Sequence, residues 1–248
     1  MKVLVCISHV PDTTSKINFS DNDTKFDANG VQFVINPYDE FALTRAMWLK
    51  EKQGASVTVL NVGNQTTEPT LRKALAIGAD NAVRINAEPT DSFFVASQIA
   101  SYAKNENYDL ILAGKESIDY NGGMVPGMLA QMLDIDFVNA CIGFEVEGHS
   151  VKATREIDGG KEILEAKLPI VLAGQKGMVE EKDLRIPNMR GIMMARQKPL
   201  TVVEPSDGSA KSESIKYEKP QQKSACKMVD TDNLDELVSL LHNEAKVI

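Results

Sequence analysis

Cysteine is scarce in this chain: Cys6, Cys141 and Cys226 are scattered, none lies in a Cys-x-x-Cys pair, and the odd count argues against a disulfide framework. Reduced, mostly packed thiols are expected. Histidine is equally rare. His9, His149 and His242 are far apart, and none has a second ligand at metal spacing, which argues against a zinc or iron centre. Basic residues are outnumbered, 27 against 35 acidic, for a net charge of −8. That balance disfavours a broad nucleic-acid footprint and adhesion to an anionic membrane. No apolar run approaches the roughly 18 to 20 residues of a membrane span. The amino terminus turns strand-like within six residues, so no signal peptide is expected and an intracellular, soluble setting is. What remains is the composition of a folded protein: 248 residues, 43% hydrophobic, long enough for one large domain with an appendage.

The pattern along the chain predicts an α/β fold. Lys2 to Ile7 is a near-continuous apolar run, the mark of a parallel strand covered on both faces. A polar stretch follows, up to Asn29-Gly30. Pro37 then opens a helix that ends near Gly54. Ser56 to Val62 reads as a strand, Pro69 to Ile77 as a helix closed by Gly78, and Asn81 to Ile85 as a third strand. Phe93 to Lys104 is helix-like, Tyr108 to Ala113 is a fourth strand, and Met124 to Leu133 an apolar helix. This alternation implies a doubly wound, mostly parallel, Rossmann-like sheet, whose ligands bind beyond the carboxyl ends of its strands. Cys6 to His9, Asn61 to Gly63 and Gly114 to Gly123 arrive there together, a plausible nucleotide crevice.

From Phe144 the period shortens. Phe144 to Val146, Lys152 to Ile157, Glu162 to Ala166 and Ile170 to Ala173 read as short strands, with a hairpin turning at Gly159-Gly160. After Pro205 the composition becomes Ser, Lys, Glu, Gln and Pro, so Ser206 to Ser224 is expected as an extended arm. The arm ends in a helix with Leu234, Leu237, Val238 and Leu241 on one face after the cap-type Thr231 and Asp232. Such a stripe on a tether needs a surface to dock on. The expected division is residues 1–184 as the nucleotide-binding domain, 185–205 as a recognition loop with its following segment, and 206–248 as the arm.

Several constellations bear on chemistry. Gly114 to Gly127 carries four glycines between a strand and a helix, where backbone amides and the helix dipole suit a phosphate. Its spacing is neither a Walker A loop nor Gly-x-Gly-x-x-Gly, so a tight structural turn explains it equally well. Asn36-Pro37-Tyr38-Asp39 has a local explanation as a helix cap, and a functional one as a grip on adenine or ribose. Arg155 to Glu162 crowds five charges around a hairpin tip, with no nucleophile or companion base beside them. Arg185 to Arg196 interleaves basic residues with Ile186, Met189, Ile192, Met193 and Met194, adaptable contacts for an acidic partner or a segment facing the core. No triad, metal cluster or activated cysteine is apparent. Catalysis by side chains is therefore not expected.

Taken in order, these residues resemble the beta subunit of electron transfer flavoproteins over essentially the whole chain. The match is densest from Ala153 to Ala173, where Arg155, Asp158-Gly159-Gly160, Glu162, Leu164, Pro169 and Val171-Leu172 follow the family signature. Asn36 to Asp39, Ala74 to Asp80, Gly114-Lys115 with Ile118-Asp119, and Ile192-Met193 with Ala195-Arg196 fall in family order.

The resemblance implies an electron carrier rather than an enzyme. It implies a heterodimer with an alpha subunit that holds most of an FAD, taking electrons from flavin-dependent dehydrogenases such as acyl-CoA dehydrogenases and passing them to a quinone oxidoreductase or another acceptor. The crevice would hold AMP as a structural ligand, or a second FAD in electron-bifurcating members. By position its contacts would be Cys6, Asn36, Pro37, Tyr38, Asp39, Val62, Gly114, Lys115, Asp119, Asn121, Gly122, Gly123, Met124 and Val125. Partner recognition would fall to Arg185, Met189, Ile192, Met193 and Arg196, with Met189 in place of a customary leucine. Glu156 matches an acidic residue near the flavin that is linked to release of partner-bound conformations. The arm would embrace alpha, and the setting would be a bacterial cytoplasm, or the mitochondrial matrix in a eukaryote. The sequence departs from the family in two further places. Thr13 stands where some members have a flavin-contacting tyrosine. Asp119-Tyr120-Asn121-Gly122-Gly123-Met124 replaces a loop that commonly has acidic residues followed by Asn or Ala and Gln, leaving AMP, a second FAD or an empty crevice open, with AMP favoured. A stand-alone nucleotide-binding stress module is the rival class; it has no use for a clasping arm.

Overall fold

The computed structural model describes residues 1–222 and 225–248; Lys223 and Ser224, the last two of the expected arm segment, lie outside the described residues. The opening apolar run forms β1 (Lys2–Cys6). Its residues alternate between two apolar clusters, Val3 and Val5 in one, Leu4 and Cys6 in the other, as a strand covered on both faces requires. The polar stretch after it is not a plain loop. Two small ribbons fold there, β2 (His9–Pro11) with β5 (Phe33–Ile35) and β3 (Phe19–Ser20) with β4 (Lys25–Phe26). The tip of the second passes through Asp21, Asn22 and Asp23, all at positive φ, which short polar side chains tolerate.

Helices and strands then alternate as expected: α1 (Pro37–Gln53), β6 (Ser56–Val62), α2 (Glu68–Ile77), β7 (Asn81–Ile85), α3 (Ser92–Ala103), β8 (Leu110–Gly114) and α4 (Val125–Leu133). Gly54, left-handed at φ 67°, closes α1 by donating to Lys50 O. Next come β9 (Asp136–Glu147), β10 (Ser150–Ile157), β11 (Gly160–Lys167), β12 (Ile170–Gly174), α5 (Met189–Ala195), β13 (Leu200–Val203) and α6 (Leu234–Ser239). Ile157 pairs with Gly160, so the hairpin turns at Asp158-Gly159, one residue earlier than expected, with Gly159 at φ 84°. α6 is capped by Asn233, whose side chain accepts from Glu236 N, rather than by Thr231 or Asp232.

Among the described residues nine strands form one sheet in the order β11-β10-β9-β12-β8-β1-β6-β7-β13. The seven from β9 to β13 in that order run parallel, and β10 and β11 extend the edge in antiparallel fashion. One face packs on α1 and α2, the other on α3 and α4. From β1 the chain steps outward to β6 and β7, then returns to place β8 on the opposite side of β1. The order reverses between β1 and β8, the point at which such sheets open a crevice at their carboxyl edge. Among the described residues no helix is long and apolar enough to cross a membrane.

Candidate functional site

The switch point is tied by one side chain. Pro37 starts α1, which sets Asp39 in its first turn with its carboxylate buried. Oδ2 accepts from Ser8 N at 2.7 Å and Oδ1 from Gly114 N at 2.8 Å, so Asp39 joins the ends of β1 and β8 across the crevice floor. Burial pushes this carboxyl up to about 7, while the N–H donors of Ser8 and Gly114 pull the other way. Gly114 has no room for a side chain: a Cβ there would lie 2.5 Å from Asp39 Oδ1 and 2.6 Å from Tyr38 Cβ. Tyr38 lies beneath the Lys115 ammonium, 5.3 Å from its ring centre.

Asn36 occupies the cap position of α1 but makes no side-chain cap bond. Its Nδ2 instead donates to Glu116 O at 2.8 Å, and its Oδ1 accepts from Ile118 N at 3.4 Å. The cap explanation therefore gives way to a tie on the loop that follows β8. That loop is a tight hairpin, because Ser117 and Gly122 exchange backbone bonds at 3.0 and 3.2 Å with Asn121 at φ 48°. The Asp119 carboxylate serves the loop itself, accepting from Ser117 Oγ and from Tyr120 N. Beyond it the amides of Gly123, Met124 and Val125 make no hydrogen bond among the described residues, and α4 has no side-chain cap. Three consecutive donors at the positive end of a helix form a cradle for an anion. A Cβ on Gly123 would press to 3.2 Å from Lys115 O.

The third lip follows β6. Asn61 Nδ2 donates to Ile7 O at 2.8 Å, holding the ends of β6 and β1 together, while its buried Oδ1 has no partner among the described residues. Cys6 and Val62 are buried beside it at their strand ends. Burial, reinforced by Asp39, pushes the Cys6 thiol far up, so it packs rather than reacts. His9, which ends the Cys6 to His9 segment expected at the crevice, stacks on Phe33 at 4.3 Å and meets Thr70 Oγ1 through Nδ1 at 2.8 Å. Its partners lie 24 and 61 positions away, beyond the reach of any local pattern. Among the described residues no His, Cys, Asp and Glu cluster is placed to hold a metal ion.

The residues assigned to partner recognition sit on other elements. Met189, Ile192 and Met193 are exposed on α5, which packs against α2 so closely that a Cβ on Gly191 would fall 2.3 Å from Ala76 O. Arg185 pairs with Glu51 of α1 at 2.6 Å, and Arg196 closes α5. Glu156 lies on β10, where Gln175 Nε2 donates to it.

A family model described as the electron transfer flavoprotein domain matches residues 23–208. The chain belongs to the electron transfer flavoprotein family. Its relatives include the curated electron transfer flavoprotein subunit beta of Bacillus subtilis (strain 168), 36% identical with all of both chains aligned. The subunit beta of Syntrophomonas wolfei is 35% identical, over 91% of this chain and 88% of its own length, and that of Homo sapiens 32%, over 100% and 99%. Within this family, then, the chain stands with the beta subunits, as a component of an electron transfer flavoprotein.

Proposed function

We propose that the chain is the beta half of a heterodimeric electron carrier, whose alpha subunit holds most of one FAD, and that AMP occupies the switch-point crevice. The observation that carries the first part is end-to-end similarity to proteins named as beta subunits. What supports the second is the fit of the crevice to a mononucleotide. The free amides of Gly123, Met124 and Val125 suit a phosphate, and Lys115 brings a positive charge to the start of the same loop. Gly114 and Gly123 leave no volume for side chains, so the end of β8 and its loop pack tightly on Asp39, Tyr38 and Lys115 and hold the crevice floor in place. Asp39 and Asn36 act on the ligand indirectly, by fixing the strand ends and the loop.

The FAD would supply the redox chemistry when bound. This chain's part is to hold position and to present a docking face. Exposed methionines on α5 suit several dehydrogenase partners, because their side chains adapt to different surfaces. The test is to co-express the chain with an alpha subunit, purify the pair, and add an acyl-CoA dehydrogenase with its substrate. Bleaching of the flavin absorbance that requires both subunits is expected. A chain that never joins alpha, or a complex whose flavin stays oxidised, overturns the proposal.

A further inference from the structure

The arm does not leave the molecule at Pro205. Ser206 exchanges bonds with the buried Gln98 of α3, N to Oε1 at 2.8 Å and Nε2 to O at 3.0 Å. Lys211 N and Ser212 N then donate to Asp91 Oδ2 at 2.6 and 2.8 Å, and Lys211 Nζ sits over the Phe93 ring. Asp91 also caps α3 through Oδ1, so the carboxylate that starts that helix anchors the arm as well. Further on, Tyr217 N donates to Asp23 O at 2.8 Å and its ring stacks on Phe19 at 5.0 Å. Its hydroxyl lies 3.2 Å from that of Tyr120 in the loop after β8, and Lys219 Nζ reaches Asn18 Oδ1.

These anchors share one location. The start of α3, the β3–β4 ribbon after β1 and the hairpin loop after β8 all lie at the carboxyl edge of the sheet, and the last two are opposite lips of the switch crevice. We infer that residues 206–219 are a strap across that crevice, in which Tyr217 joins the two lips and retains the bound nucleotide. The inference rests on the nucleotide reading above and goes beyond it, adding an arm residue to the ligand's enclosure. A ligand leaving between the lips must part Tyr120 from Tyr217 or Tyr217 from Phe19. Beyond the strap, Leu234, Leu237 and Val238 remain exposed, so the anchored and free parts of the arm are distinct.

The experiment uses the full-length chain in complex with its alpha subunit, loaded with radiolabelled AMP and chased with unlabelled AMP. Tyr217→Phe keeps the stack and loses the hydroxyl pair, and should release AMP roughly two- to fivefold faster. Tyr217→Ala loses both and should release it roughly tenfold faster or more. Amide hydrogen exchange read in parallel should show Lys211, Ser212 and Tyr217 protected in the wild type. Exchange at the rates of an unstructured peptide overturns the strap whatever the ligand does. Protected amides with unchanged AMP release in Tyr217→Ala overturn the retaining role. Protected amides in a wild-type complex that binds no AMP overturn the nucleotide reading, and the retaining role with it.

Discussion

Asp39 is a carboxylate held out of water by the need to join two strands. Its neutral form is favoured by burial, so the folded state keeps a proton that the unfolded chain loses above about pH 4. The sign follows: the stabilising contribution is complete below about pH 4 and is lost as pH rises through about 7. Urea midpoints of the wild type and Asp39→Asn should therefore drift apart with pH, the wild type losing up to about 4 kcal/mol relative to the variant between pH 4 and 8. A pH-independent difference would mean that the two N–H donors fully offset the burial. Gly114→Ala tests the same junction by volume. A Cβ 2.5 Å from Asp39 Oδ1 must push back the first turn of α1, and a loss of about 1–3 kcal/mol is expected in thermal unfolding. None of this was legible in the sequence. Ser8 and Gly114 lie 31 and 75 positions from Asp39, so the motif could be read only as a helix cap or a ligand grip.

Elements were more legible where burial is two-sided. β1, β6 and β8 stand out because both faces are covered, leaving uninterrupted apolar runs bounded by Gly or small polar residues. β9 begins at Asp136, ahead of the strand expected from Phe144, and its earlier part has no clean alternation because it bulges: Ala140 sits at φ 51°, and the register against β12 shifts between Leu172 and Gly174. β13 is four residues long and half exposed, too weak a pattern to separate from the loop before it. α5 makes the clearest prediction at this scale. Gly191→Ala would drive a Cβ into Ala76 O, lift α5 from α2 and disturb the exposed methionine face. Reduction of the heterodimer by a dehydrogenase should slow, with flavin content unchanged. Met189→Ala should slow the same reaction without lowering the melting temperature, because Met189 is 76% exposed and supports no core. Loss of flavin in either variant would make α5 a structural support of the complex instead.

At the scale of the whole molecule the chain has two parts of different kind, a sheet with a complete core and an arm whose last helix buries nothing of its own. A chain ending at Lys219 keeps every strap contact and loses that helix. It should melt as the full chain does and fail to co-purify with alpha. Co-purification would move the docking surface to the sheet or to α5. The sequence indicated a tethered helix in search of a surface, but not that the first stretch of the tether is fastened to this chain, since its partners Gln98, Asp91 and Phe19 are remote in sequence. We propose that this beta-type subunit holds a mononucleotide at the β1/β8 switch point while its partner holds the flavin. The most direct measurement is the amount of FAD and AMP released from the denatured heterodimer. One of each is the result predicted; two FAD and no AMP, or a complex with FAD alone, would contradict it.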